Sequence, residues 1–306
     1  MKILLFLISI SFTVTLTGQK QKIFIDENKA SIVDSSEAKQ YVIIDYGNNA
    51  NAFKETYFYI TGEKKSETNY VKSTGLFGTY LIWNTDKNFG IYVKDGKSIE
   101  WYRNGQFKSE DTYILGKRNG KAFTWFENGQ LESEYNIVDN KFEGKSFKWY
   151  ENGQLKSDIE WSNGQYNGNV QTYWKNGMIK RKDSYSENKF KSGNCYDSTG
   201  KKISHFELEQ MPKYKSGDQK LLQDISNNLK YPKMSRDLRI QGTVIVRFSI
   251  NKLGSISNIE VLQGINPELN KEAVRVIGTL KKFQPAYYDG EPIDFYYMIP
   301  LNFNSN

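Results

Sequence analysis

Cysteine and histidine each occur once in the 306 residues, as Cys195 and His205. A lone cysteine forms no internal disulfide. One residue of each type also leaves no Cys/His dyad or metal-ligand set unless these two meet, and Cys195 reads instead as a small residue inside a strand. Proline is sparse and unevenly spread: all six, Pro212, Pro232, Pro267, Pro285, Pro292 and Pro300, lie beyond residue 210. No apolar run reaches the roughly 20 residues that a membrane-spanning helix needs. Long blocks of one charge sign are missing too. The net charge is +7, but lysines alternate with Glu and Asp, which suits a solvated β surface and not a phosphate-tracking one, so no nucleic-acid partner is expected. Paired carboxylates such as Glu132 and Glu134 share their strand face with lysines. No catalytic residue, metal or cofactor is therefore expected, and the protein reads as a non-enzyme.

The longest apolar run, ILLFLISISFTVTLT, follows Lys2 and stops at polar QKQK. It is short for a spanning helix and has the basic start and small-residue end of a secretory signal, placed at residues 1–18. Cleavage near Gly18 puts the chain in the periplasm or at the envelope, and an uncleaved signal would make it an inner-membrane anchor instead. No cysteine follows the run, which closes the diacylated lipoprotein route.

What is present is a repeat. WYRNGQFKS starts at Trp101, WFENGQLES at Trp125, WYENGQLKS at Trp149 and YWKNGMIKR at Tyr173, each 24 residues after the last. A glycine precedes every start by five positions, at Gly96, Gly120, Gly144 and Gly168. A fixed period of this size marks a stacked array. In each copy an Asn-Gly pair ending in Gly105, Gly129, Gly153 or Gly177 separates two alternating runs, which predicts a two-residue type I′ hairpin turn there. The second connection (LGKRNG, DNKFEG, SNGQYNG, SENKFKSG) reads as longer and looser. Copies in register would stack Trp101, Trp125, Trp149 and Tyr173 in one row, and Phe107, Leu131, Leu155 and Ile179 in another. Residues 19–90 read as β-rich with degenerate copies, in which Gly62 takes the place of Gly105. YDSTGKKIS, from Tyr196, reads as a frayed last copy lacking the Asn-Gly turn. The G-x-x-x-x-[WY]-[YF]-x-N-G core resembles the bacterial variant of the MORN repeat, which implies an elongated sheet of hairpins over residues 91–204 and defines no ligand.

After His205 the 24-residue beat stops, and 205–217 reads as a linker. Residues 218–306 predict helix, strand, strand, helix, strand: LLQDISNNL with helical spacing, GTVIVRFSI, ISNIEVLQ, a helix opened by Asn266 and Pro267, and IDFYYMIPLNF. The fold class expected for the whole chain is mainly β plus α+β, a hairpin array followed by a small domain with a three-stranded antiparallel sheet. Tyr231-Pro232, Ile240-Gln241-Gly242, Gly254, Glu272-Ala273 with Arg275, Phe283 with Pro285, and Ile299-Pro300-Leu301-Asn302-Phe303 together resemble the TonB C-terminal domain. Phe283 stands where that family often has Trp.

The resemblance implies a protein partner: the periplasmic plug of an outer-membrane receptor, whose short TonB-box segment adds as a strand to the sheet edge. Pro292 and Pro300 mark the last strand as an edge. The residues expected to receive the partner strand are Ile293, Asp294, Phe295, Tyr296, Tyr297, Met298 and Ile299. The leading reading is a periplasmic TonB-like binding protein with the repeats as a scaffold for protein interaction. Two alternatives stand beside it: a membrane-anchored energy transducer, and a structural envelope adaptor whose last domain only forms a homodimer. The proline-rich spacer of full transducers is missing from this sequence.

Overall fold

A computed structural model describes residues 20–26, 31–47, 51–73, 80–81 and 91–304. The expected signal at 1–18 lies outside them. Among the described residues no helix is long and apolar enough to cross a membrane. The chain divides into two units, Met1–Ser204 and His205–Asn306.

The first unit is an antiparallel meander. Strands Lys20–Asp26, Gln40–Asp45, Ala52–Tyr59 and Lys64–Ser73 pair in chain order and hand over to Ile91–Trp101. Their period-two pattern buries one face: Ile23, Val42, Ile44, Phe53 and Tyr70 form a core, with the Phe53 ring 4.9 Å from Tyr70 and 5.0 Å from Tyr92. The turn after Tyr59 already has the geometry of the later repeats. The Gly62 amide donates to the Tyr59 carbonyl at 2.9 Å, as Gly105 does to Tyr102 at 3.0 Å.

The repeats themselves are hairpins, but the two turn types are exchanged relative to the expectation. At Asn-Gly only the glycine is left-handed, with φ of 83°, 86°, 82° and 85° at Gly105, Gly129, Gly153 and Gly177. Each loop is therefore a type I turn closed by a left-handed glycine bulge, in which Tyr102 also donates to the Gln106 carbonyl at 2.9 Å. The type I′ turns sit at the opposite end of each hairpin. There both central residues have positive φ: Leu115-Gly116, Asp139-Asn140, Asn163-Gly164 and Glu187-Asn188. The connection expected to be loose is thus the tight one. YDSTGKKIS closes the same bulged turn with Thr199-Gly200, because the left-handed glycine (φ 86°) and not the asparagine sets its shape.

Asparagine has another task. Its Oδ1 accepts the amide two residues on, and its Nδ2 donates to a carbonyl of the next repeat: Asn104 to Glu127 at 2.7 Å, Asn128 to Glu151, Asn152 to Lys175, and Asn176 to Ser198 at 2.9 Å. Aspartate could accept but not donate there. At the type I′ end the backbone performs the same stapling, with Gly116, Asn140, Gly164 and Asn188 donating to Lys94, Arg118, Phe142 and Tyr166 at 2.8–3.0 Å.

The beat of Gly96, Gly120, Gly144 and Gly168 also gains a cause. Each glycine is left-handed, with φ of 88°, 108°, 69° and 118°, a conformation that glycine adopts without strain, and each lies directly across the strand pair from a large residue, respectively Tyr113, Ile137, Trp161 and Tyr185. Trp161 and Tyr185 belong to a second ring stack that sequence reasoning missed. Tyr135, Phe142, Trp161, Tyr166, Tyr185 and Phe190 follow one another at centroid distances of 4.4–5.8 Å. On the other, more open face the two expected rows interleave at their start. Phe107 packs between Trp101 (6.0 Å) and Trp125 (5.6 Å), yet it is 46% exposed and Ile179 is 40% exposed. Lys121–Glu134 and Lys145–Asp158 pairs cross the same face. The buried face is lined by small residues, Ala122, Ser133, Ser146, Ser157 and Thr172, with Ile137, Ile159 and Val170.

In the second unit, strand Gly242–Ile250 lies between Ile256–Gln263 and Phe295–Phe303 in an antiparallel sheet. Helices Asp218–Asn228 and Pro267–Gly278 belong to the same core, which holds Leu221, Ile225, Val244, Val246, Phe248, Leu269, Ala273, Ile277, Leu301 and Phe303. Asn266 caps the second helix by accepting the Leu269 amide at 2.9 Å, ahead of Pro267. Phe283 is buried against Tyr214, Phe248 and Tyr297. Residues 205–217 are not a free linker. Glu209–Gln210 pairs with Tyr287–Tyr288, Lys213–Tyr214 pairs with Phe283–Gln284, and Leu208 and Tyr214 are buried. Too few residues alternate there for the sequence to announce these short strands.

Glu272 ties the two long helices together. It is buried, accepts from the Lys230 amide at 2.6 Å and from Nε and Nη2 of Arg275, each at 2.7 Å, while Arg275 also donates to the Asn228 carbonyl. Burial pushes its carboxyl up, but Arg275 and the Lys230 amide outweigh this and hold it below the ordinary 4.5. A depressed carboxyl stabilises the fold above its unfolded pKa, and this contribution disappears as pH falls through the folded value. Glu272→Gln should therefore cost about 1–3 kcal/mol at pH 7, and progressively less below pH 4.5. An undiminished difference between the two proteins at pH 3 would remove this assignment.

Candidate functional site

The residues expected to receive a partner divide by position. Ile293 lies in a separate short strand, Glu291–Ile293, opposite Ala286, and Pro292 is there with it and not in the last strand. Asp294 sits between strands and accepts the Lys252 amide at 3.1 Å. The last strand itself begins at Phe295, and its nine residues pair with Gly242–Ile250 without a break in register.

Backbone alternation decides which amides of that strand are committed. Asn251 donates to the Ser255 carbonyl at 2.9 Å, which closes the hairpin to Ile256–Gln263. In an antiparallel ladder successive residues offer their amides to opposite sides. Gly242, Val244, Val246, Phe248 and Ile250 therefore face the last strand, and their partners Phe303, Leu301, Ile299, Tyr297 and Phe295 face back. The amides of Tyr296, Met298 and Asn302 then lie along the outer margin. Pro300, in phase with them, gives up no ladder bond, which explains how a proline sits in an unbroken register.

Side chains follow the same alternation. Ile299 is buried, Tyr297 stacks on Phe248 at 5.5 Å, and Phe295 is half-buried, whereas Tyr296 (65%) and Met298 (62%) are exposed on the opposite face. The Arg247 guanidinium lies 5.5 Å from the Tyr296 ring centroid and is paired with Glu260. Sequence reasoning did not single out Arg247. Its signal was only its place on the polar side of an alternating run.

The opposite margin of the sheet is different. Ile256–Gln263 breaks register twice against Gly242–Ile250, and Asn258 is left-handed at φ 51°. Bulges of this kind blunt an edge. The last strand is thus the regular edge. Among the described residues no cluster of His, Cys, Asp or Glu could hold a metal ion.

Residues 227–305 match the family described as the Gram-negative bacterial TonB protein C-terminal. Residues 94–114, 118–139, 142–163 and 166–187 match the MORN repeat variant, one match per hairpin repeat. No curated protein matches the chain.

Proposed function

As a chain that carries a TonB C-terminal domain behind repeats of the MORN variant, this protein, we propose, is a periplasmic binding protein that engages an outer-membrane receptor or transport partner by strand addition. The TonB-type domain points to the envelope. The observation that carries the reading is the last strand: nine residues in unbroken register with one side occupied, and outer amides at Tyr296 and Met298. A partner segment gains main-chain hydrogen bonds along such an edge, and its alternate side chains give selectivity. The hairpin array is the scaffold in this reading, and no residue of the protein is assigned a catalytic role.

The test is a pair of prolines. Met298→Pro removes an outward donor and leaves the ladder to Gly242–Ile250 whole, so the domain should stay folded by circular dichroism. Titrated with synthetic peptides taken from the periplasm-facing N-terminal segments of outer-membrane receptors, it should bind at least about tenfold more weakly than the natural chain. Tyr297→Pro removes an inward donor and should damage the fold itself. Unchanged peptide affinity in folded Met298→Pro would reject strand addition at this edge.

A further inference from the structure

The apolar row of the array is interrupted at its start. Where later copies place Phe107, Leu131, Leu155 and Ile179, the copy before them has Lys64, whose ammonium lies 5.1 Å from the Trp101 ring centroid. Beside this break is an open cavity of about 490 Å³, between the strands ending at Tyr59 and Trp101 and the turn at Glu127. Its size is that of a small-ligand site. The repeat pattern changes at a second position too, since Arg103 stands where the next two copies have Glu127 and Glu151.

The walls restrict the ligand. Tyr59 and Trp101 supply ring surface, and the Arg103 guanidinium lies 4.6 Å from the Tyr59 centroid. Lys108 is paired with Glu100 at 3.0 Å, and Glu127 adds a second carboxylate. A wholly apolar ligand would strip water from these charges without replacing it. A phosphate would meet Glu100 and Glu127, and an organic cation would meet Lys65, Arg103 and Lys108. What matches rings together with both charge signs is a molecule with a flat C–H face and an edge of hydroxyls that donate and accept alike. We infer that this cavity is a binding site for a neutral saccharide. The lysine over Trp101, also paired with Glu67 at 3.2 Å, can swing off the ring when a sugar stacks there, whereas a leucine at 64 would stay packed on it.

Calorimetric titration of the purified chain with maltotriose, cellotriose and N-acetylchitotriose tests this, with trigalacturonate and inorganic phosphate as charged counter-probes. At least one neutral trisaccharide should bind. Lys64→Leu and Arg103→Glu each install a residue that later repeats carry at the same place, so the melting temperature should hold while affinity falls about tenfold or more. The site is overturned if no neutral trisaccharide binds, if only the charged probes do, or if either variant retains the natural affinity.

Discussion

Gly254→Ala is expected to destabilise the C-terminal unit by at least about 3 kcal/mol, lowering its transition in calorimetry of the intact chain by more than about 10 °C. Two penalties act at once. The residue is left-handed at φ 77°, which for a residue with a side chain costs about 1–2 kcal/mol. A Cβ there would also lie 1.9 Å from the Phe283 carbonyl oxygen, while the Phe283 amide donates to the Gly254 carbonyl at 2.9 Å. The methyl group thus pushes on backbone whose own side chain is in the core beside Tyr214 and Phe248. Gly105→Ala is the matched control, because its φ is 83° but nothing lies within 4 Å of the added carbon. Equal losses at the two sites would show that backbone strain, and not the contact with Phe283, sets the effect.

A comparable loss is expected in the array from Arg181→Met. Arg181 and Asp183 are both fully buried and joined at 2.5 Å. At the position of Arg181 the earlier copies have Ser109, Ser133 and Ser157. At that of Asp183 two of them have Tyr135 and Ile159. Gly193 makes room, since a Cβ on it would overlap an Asp183 carboxylate oxygen. Removing one partner leaves the other charge buried, at a cost of about 3–5 kcal/mol. Arg181→Met combined with Asp183→Val removes both charges and should recover most of that loss. A double variant as unstable as the single one, in urea unfolding, would mean that shape and not charge is responsible.

Much of this architecture was legible. The 24-residue beat gave the hairpins, and the alternation in GTVIVRFSI and the Asn266-Pro267 start placed the C-terminal sheet and helix. The turn types were not legible, because Asn-Gly serves both a type I′ turn and a bulged type I turn, and the choice depends on cross-strand register. Asn163-Gly164 and Asn152-Gly153 read identically, yet only the first is type I′. The glycine beat was visible without its reason, a left-handed backbone at each of the four positions, because no neighbouring residue in the sequence marks it. At the edge, the alternation correctly separated Tyr296 and Met298 from the core. It carried the strand too far back to Ile293, because one exposed aspartate, Asp294, divides two strands that share a phase. The cavity beside Trp101 escaped notice because its walls come from Tyr59, Arg103 and Glu127. The only local sign was a lysine in an apolar column.

The stapling of each repeat to the next has a mechanical consequence. Every Asn side chain reaches a carbonyl about one period ahead, and every type I′ turn donates to a carbonyl 22 residues behind. Contacts along the array are therefore between neighbours, and its energy is close to a sum over adjacent pairs. Such a sheet can nucleate at any copy and grow outward in both directions, with less loop-closure delay than its strand content suggests. Pulled from one end, it should yield in steps of one hairpin, each releasing about 24 residues of chain.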